Sequence, residues 1–304
     1  MNVVFDCIPC TIQSYLRLAE GISIPEKQVE DILRRLLEFL SEADYRRSPP
    51  VLAQHLQRIL RDILKTSDPY KSIKESSNRI MLERYQEFKE MVENARDPFD
   101  TAMRLAIAGN VIDFGAKHQL DINDMIQQVL ISELAIDDSE KLKKDIQNAK
   151  TLLYIGDNAG EIVFDKIFLE TIGHPDAYFA VRGAPVINDV TTEDALFSGI
   201  DNHAKLITTG DDAPGVVWET SSAEFKSIFK TADVIISKGQ GNLEGLFDIS
   251  QNIYFLLVTK CALMSDQIGV PEKSFVVLQR RNSTNHSKEF ELKNDSVLDN
   301  VRRT

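Results

Sequence analysis

The sequence has few cysteines and histidines and no long apolar segment. Its three cysteines and five histidines supply neither a disulfide framework nor a second pair of ligands for a structural zinc site. No segment has the length of a membrane span, and the first residues are too few and too acidic for an export signal. We therefore expect a cytoplasmic protein with no membrane partner.

Positive charge is also scarce, since the net charge at pH 7 is -12. A general nucleic-acid binder needs an excess of Lys and Arg on one face, so we expect no nucleic-acid partner. The acidic balance does not exclude a small phosphorylated ligand, because a bound divalent ion and a few cations make a single pocket locally positive. Composition leaves the oligomeric state open.

The spacing of apolar residues divides the chain into two parts. In the first part they recur at helical intervals, as in Ile32, Leu36 and Leu40. Short β-rich runs then alternate with helical or loop stretches, which predicts parallel strands with crossover connections. We predict a mainly helical domain over residues 1–148 and an α/β domain with a doubly wound, mostly parallel Rossmann-like sheet over residues 149–304. The predicted strands are Leu152–Ile155, Tyr178–Val181, Lys205–Thr208, Val234–Ser237, Ile253–Val258 and Phe275–Leu278.

Polar clusters directly follow three of these strands. They comprise Asp157, Asn158 and Glu161 after the first strand, Arg182 to Asp189 after the second, and Lys238, Gly239, Asn242 and Glu244 after the fourth. Because the carboxyl ends of parallel strands share one edge of a sheet, we expect the three clusters to converge. The plainer alternative, that each cluster only caps a helix or forms a tight turn, stays open for any one of them alone.

The side chains in these clusters suit phosphate chemistry with a metal ion. Asp157, Asn158 and Asp189 offer oxygen ligands that Mg²⁺ or Mn²⁺ prefers over softer donors. Lys238 would neutralise a phosphate, and glycines beside it would let backbone N–H groups approach. Glu161 would bind a sugar hydroxyl or orient a water molecule. The clusters therefore predict a metal-dependent phosphatase.

Three motifs together resemble the domain-of-unknown-function 89 (DUF89) family of metal-dependent damage-control phosphatases. They are Gly-Asp-Asn-Ala-Gly-Glu at 156–161, Pro-Val-Ile-Asn-Asp at 185–189 and Lys-Gly-Gln-Gly-Asn at 238–242. Gly-Asn-Val-Ile-Asp-Phe-Gly at 109–115 and Cys-Ile-Pro-Cys at 7–10 extend the likeness to nearly the whole chain. The cysteine motif looks like that of the prokaryotic subgroup.

The resemblance implies an activity and a set of site residues. Family members are thought to hydrolyse phosphate esters of sugars or related, often damaged, metabolites. The divalent ion (Mg, Mn, Co or Ni) is held by residues that match Asp157, Asn158 and Asp189. The nucleophile is open between a water molecule activated by the ion and Asp157, and in either case we assign Asp157 and Lys238 to catalysis.

The substrate site implied by the resemblance draws on both parts of the chain. It comprises Glu161, Lys238, Gly239, Asn242, Lys260 and Asn110, to which we add Arg182 from the cluster after the second predicted strand. Lys260 resembles a second family lysine near the phosphate, on a short local match. Asn110 would face the site from the helical part, although the preceding Gly109 is equally typical of a packed glycine in a helix pair.

Other functions stay open beside the phosphatase. Some eukaryotic relatives were proposed to methylate protein carboxylates with S-adenosylmethionine, but residues 156–160 lack the glycine spacing of a dinucleotide-type fingerprint. A third alternative is a metal-dependent binding module without turnover. For Cys7 and Cys10, a redox or weak metal role stands beside a partly buried pair at the start of a helix.

Overall fold

The computed structural model of the protein describes residues 1–21, 24–109 and 122–280. The predicted site residue Asn110 lies outside these ranges. Within them the chain forms thirteen α-helices, one short 3-10 helix at Ile200–Asn202 and seven strands. The helices are α1 Cys7–Gly21, α2 Glu26–Glu42, α3 Pro49–Leu64, α4 Lys71–Glu83, α5 Tyr85–Glu93, α6 Pro98–Gly109, α7 Ile122–Ile131, α8 Ser139–Asn148, α9 Ile162–Ile172, α10 Thr192–Ser198, α11 Ala223–Thr231, α12 Gln240–Leu246 and α13 Ala262–Ile268. None of them is long and apolar enough to cross a membrane.

The seven strands form one sheet in the order β1-β7-β6-β5-β2-β3-β4. The strands are β1 Ile136–Asp137, β2 Leu152–Ile155, β3 Ala177–Val181, β4 Lys205–Thr208, β5 Val234–Lys238, β6 Ile253–Val258 and β7 Phe275–Arg280. Leu152 of β2 lies opposite Ala177 of β3 on one side and opposite Val234 of β5 on the other. The chain reverses its winding direction between β2 and β5, and this is the switch point at which open α/β sheets bind ligands.

The predicted mixed α/β fold with a mostly parallel sheet is confirmed. The last strand differs from the prediction, because β7 runs antiparallel to β6, with Val258 opposite Phe275. The chain re-enters the sheet at the end where β6 finishes, so the segment with α13 does not cross a face of the sheet. Strand β1 was not predicted; its two residues pair with β7 from within the part predicted to be helical.

Strand β2 is buried on both faces, which explains its unbroken apolar sequence. Leu152 and Tyr154 pack into a core with α6 and α9, whereas Leu153 and Ile155 pack into a second core with α11 and α12. The alternation follows from the period of two in a strand. Because described helices cover both faces of the sheet, a ligand would reach the central strands at the loops that follow their ends.

The helices of the N-terminal half divide between two cores. Helices α1 to α3 share a separate apolar core around Leu36 and Leu56, while α6 packs in the same core as α9 beneath the sheet. The first group is fixed to the loop after β4 by Asp212, which accepts hydrogen bonds from Arg58 and Arg61 of α3. The domain division at residue 148 stays a prediction.

Candidate active site

The three predicted metal ligands meet at the switch point of the sheet. Asp157 and Asn158 follow β2, and Asp189 lies in the loop after β3. Backbone bonds join the two segments, from the Ala159 N–H to the Asn188 oxygen at 2.9 Å and from the Val190 N–H to the Asp157 oxygen at 2.8 Å. Asn158 and Asp189 form an isolated antiparallel bridge. Local backbone pairing therefore brings these three residues together.

The carboxamide of Asn158 links two acids of the first cluster. Its Nδ2 donates to Asp157 Oδ2 at 2.7 Å and to Glu161 Oε2 at 3.0 Å. All three side chains lie in or beside the turn between β2 and α9, and Asp157 and Glu161 are buried. The arrangement concentrates acceptor oxygens where a cation would be held.

Gly239, the residue after β5, lies directly against Asp157. Its backbone has φ +78° and ψ 163°, a region that is open almost only to glycine. A Cβ atom at this position would lie 1.9 Å from Asp157 Oδ2. The close approach of backbone and carboxylate therefore requires glycine on two separate grounds.

Arg182 connects the second cluster to the first. Its Nε donates to Asp189 Oδ2 at 2.6 Å, and its Nη2 lies 3.7 Å from Asp157 Oδ1. The side chain is 1% exposed, yet Nη1 and Nη2 have no hydrogen-bond acceptor among the described residues. Because buried donors are nearly always paired, these two nitrogens mark where an acceptor such as a phosphate oxygen would bind.

Lys238 lies beneath the acidic cluster, fully buried. Its ammonium donates to Glu161 Oε1 at 2.5 Å, to Asp165 Oδ1 at 2.6 Å and to the Ala106 oxygen of α6 at 2.7 Å. An ammonium group has three donors, so these partners use all of them. Burial lowers the pKa of Lys238, but Asp165 and Glu161 outweigh it and raise that pKa above its ordinary value.

The remaining predicted substrate residues lie around this centre. The side chain of Lys260 is exposed, and its charge lowers the pKa of Asp157. Asn242 Nδ2 donates to the Lys238 oxygen at 2.7 Å and to the Gly156 oxygen at 3.1 Å, which ties the ends of β5 and β2 together. The Oδ1 of Asn242 is buried without a partner among the described residues.

Negative charge exceeds positive charge in this cluster. The buried groups are the carboxylates of Asp157, Glu161, Asp165 and Asp189 and the cations of Arg182 and Lys238. When all six groups are ionised, the cluster has two more negative than positive charges, and one divalent cation would balance this excess. Burial, and then the charges of Asp189 and Glu161, raise the pKa of Asp157 to about 8. Burial raises the pKa of Asp165 to about 6.

The donor set fits a hard cation by its chemistry. In the described part of the chain, no group of three or more His, Cys, Asp or Glu side chains has the arrangement of a metal site. The candidate set differs from such groups because it combines two carboxylates with the carboxamide of Asn158. Such all-oxygen sets, completed by water and substrate, are typical of Mg²⁺ and Mn²⁺.

The cysteines lie outside this centre and are free thiols. Cys7 is half-buried and Cys10 is exposed in the first turn of α1, so the pair stands at the start of a helix but only Cys7 is partly buried. Burial raises the pKa of Cys7. Cys261 precedes α13 and accepts a hydrogen bond from Gln240 Nε2 at 3.3 Å.

Sequence reasoning missed the residues that support the cluster. Asp165 is an acid among the buried residues of α9, four positions after Glu161 and so on the same face, and this spacing was the available signal. Tyr154 donates to Asp165 Oδ1 at 2.6 Å. Lys74 and Asn78 of α4 lie far away in sequence, and a single sequence contains no signal that would place them here.

Fold and site define a class of protein: a doubly wound α/β protein whose acidic cluster lies at the switch point, with helices of the N-terminal half packed around it. The chain belongs to the damage-control phosphatase ARMT1-like domain family, whose sequence profile matches residues 3–276. The family resemblance inferred from the motifs is thereby confirmed.

Several relatives match over nearly their whole length. A damage-control phosphatase of Pyrococcus horikoshii is 33% identical over 92% of this chain and 99% of its own. A damage-control phosphatase of Archaeoglobus fulgidus is 32% identical over 87% and 94% of the two chains. An uncharacterized protein of Methanocaldococcus jannaschii is 37% identical over 90% and 94%. The crystal structure of a DUF89 family protein from Pyrococcus horikoshii superposes with a TM-score of 0.84 at 31% identity, covering 92% of this chain and 100% of that one.

Proposed function

We propose that this protein is a metal-dependent phosphoric monoester hydrolase that acts on small phosphorylated metabolites such as sugar phosphates, in metabolite damage control. The observation that carries the proposal is the pair of buried Arg182 nitrogens, Nη1 and Nη2, which have no hydrogen-bond acceptor among the described residues and lie beside two acids and a carboxamide at the switch point. The names of the Pyrococcus and Archaeoglobus relatives support the phosphatase activity.

The ion would be held by Asp157, Asn158 and Asp189. When bound, a divalent cation polarises a phosphoryl group and offsets charge on the leaving oxygen. Its two positive charges would also balance the two excess negative charges that the cluster carries when all four acids are ionised, a state that burial alone makes costly. Magnesium, manganese, cobalt and nickel all accept this donor set, so the proposal covers any of the four.

Arg182 would bind the phosphoryl group through Nη1 and Nη2. Its Nε is fixed by Asp189, so the planar guanidinium is already oriented and can bind two oxygens at once. Such preorganised donors stabilise the charge that develops in the transition state. The same arginine would thus link the metal ligand to the substrate.

Lys238 and Lys260 would have different roles in the site. Lys238 donates to Glu161, Asp165 and α6. This leaves no donor for the phosphate that we expected Lys238 to neutralise, so we assign it to holding Glu161 in place at the floor of the site. Lys260 is exposed and near Asp157, which suits attraction of an anionic substrate. The substrate hydroxyls would then bind to Glu161.

The described residues give no specific support to the methyltransferase alternative. The turn after β2 carries Asp157 and Asn158, and oxygen ligands for a hard cation have no role in methyl transfer from S-adenosylmethionine. The phosphatase proposal uses both of them.

The test is phosphate release from an aryl phosphate and a panel of sugar phosphates by metal-stripped protein, with Mg²⁺, Mn²⁺, Co²⁺ or Ni²⁺ added back. We expect metal-dependent release that is lost in Asp157→Ala and in Asp189→Ala. The matched control is Asp176→Ala, an acid just before β3 at the opposite edge of the sheet, which should keep its activity. Folded protein that releases no phosphate with any of the four metals would refute the proposal.

A further inference from the structure

Asn78 of α4 contacts the acidic turn from outside the sheet. Its side chain is 1% exposed. Oδ1 accepts a hydrogen bond from the backbone N–H of Gly160 at 2.7 Å. Gly160 lies between Asn158 and Glu161, so this bond holds the middle of the turn that carries the first cluster.

The other end of the same amide holds the second ligand segment. Asn78 Nδ2 donates to Asp194 Oδ1 at 3.0 Å. Asp194 Oδ2 in turn accepts from the Thr191 N–H at 2.9 Å and from Thr191 Oγ1 at 2.7 Å. Thr191 follows Asp189 by two residues, so Asp194 fixes the direction in which the chain leaves that ligand.

A buried lysine completes the network. Lys74, one turn before Asn78 in α4, donates to Asp194 Oδ2 at 3.1 Å and lies 2.9 Å from Asp68 Oδ2. It neutralises the carboxylate to which Asn78 is bonded. One helix thus contacts both segments that bring the predicted ligands together.

The chemistry of an amide explains why asparagine is suited to this position. The Gly160 N–H needs an acceptor and the Asp194 carboxylate needs a donor, and a carboxamide offers one of each on a single rigid plane. Alanine would leave a buried N–H and a buried carboxylate oxygen without this partner, which is costly. Aspartate would keep the acceptor but set two carboxylates against each other.

We infer that Asn78 is a positioning residue for the candidate metal site, because it fixes the spacing between the turn at 157–161 and the segment at 189–191. This inference rests on the proposed function only where metal binding is measured. It extends the site to α4, a helix that holds none of the predicted ligands.

The experiment combines Mn²⁺ titration calorimetry with hydrogen exchange of the metal-free protein. We expect Asn78→Ala to bind Mn²⁺ about tenfold more weakly, as is usual when a residue that orients metal ligands is lost. Amide exchange should become faster in peptides that cover the turn at 157–161. Exchange in β6 serves as the internal reference for general loosening of the fold.

Two further variants separate positioning from simple destabilisation. Ser77→Ala is the matched control, since the buried Ser77 hydroxyl bonds only to the Ile73 oxygen of its own helix among the described residues; it should leave Mn²⁺ affinity and exchange at the turn unchanged. Asn78→Asp should impair both. The double variant Asn78→Asp/Asp194→Asn exchanges amide and acid across the same contact and should restore both.

The outcomes distinguish this inference from the proposed function. If Asn78→Ala exchanges at the turn as the wild type does, or if the double variant recovers nothing, the positioning role is wrong. If the wild type binds no Mn²⁺, the proposed metal dependence fails, and the exchange measurements on metal-free protein still decide the role of Asn78.

Discussion

Replacing Gly239 by alanine would push a methyl group into the carboxylate of Asp157. The new Cβ would lie 1.9 Å from Oδ2 and 2.4 Å from Cγ, so the carboxylate has to move by more than 1 Å to reach ordinary contact distance (about 3.4 Å). A displacement of this size at a reacting centre costs about a hundredfold in rate. The backbone of Gly239 adds about 1–3 kcal/mol of strain for any other residue.

The assay for Gly239→Ala is metal-dependent phosphate release beside urea unfolding. The matched control is Gly269→Ala, since Gly269 also has a positive φ of +75° but nothing within 4 Å of its added Cβ. Both variants should lose stability, and only Gly239→Ala should lose activity and Mn²⁺ affinity. An active Gly239→Ala protein with unchanged Mn²⁺ affinity would refute the assignment of Asp157 to the site.

The remaining predictions concern three charged groups, Asp157, Lys238 and Asp212. Because the pKa of Asp157 is raised to about 8, Mn²⁺ affinity measured by calorimetry should fall as the pH drops below about 8, since protons compete for the carboxylate. Because the pKa of Asp157 is higher in the folded protein than its ordinary value of 3.8, this group stabilises the metal-free fold most at a pH below 3.8, and the stabilisation is lost as the pH rises towards 8. An unfolding midpoint of metal-free protein that does not change over this pH range would contradict the prediction. Lys238→Met should cost about 3–5 kcal/mol in urea unfolding, because two buried acids lose their cation, whereas Lys205→Met at an exposed pair should change little; equal losses would contradict the assignment. Burial opposes the ionisation of Asp212, but hydrogen bonds from Arg58 and Arg61 outweigh burial and lower the pKa of Asp212 to about 2. Asp212 therefore stabilises the fold above pH 3.8, and this stabilisation is lost as the pH falls through about 2. Asp212→Asn should cost about 2 kcal/mol near neutral pH, less than for a fully buried pair because water screens the half-exposed Arg58, and an unchanged urea midpoint would count against it.

Much of the sheet could be predicted from the chain because its central strands are buried on both faces. Strands β2, β4 and β6 have the same bounds as the β-rich runs that predicted them, although β4 lies at the edge of the sheet and is only partly apolar. Strand β1 could not be predicted, since two residues show no periodicity. The antiparallel direction of β7 could not be predicted either, because an apolar run predicts a strand but not the edge from which the chain enters it.

The site was predictable only where parallel-strand geometry forces residues together. The ends of β2, β3 and β5 had to converge, and so the clusters around Asp157, Asp189 and Gly239 could be located. The partners of Lys238 depend on how α6 and α9 pack, and the contact from Asn78 depends on the position of α4. Packing between distant helices has no signature in one sequence, so these contacts required the structure.

The most direct test of the central claim is anomalous diffraction from crystals grown with Mn²⁺ and inorganic phosphate. We predict a manganese peak bounded by the oxygens of Asp157, Asn158 and Asp189, with a phosphate oxygen bonded to the Nη nitrogens of Arg182. A protein that is active with Mn²⁺ but shows its manganese peak elsewhere would contradict the assignment of the site to the switch point.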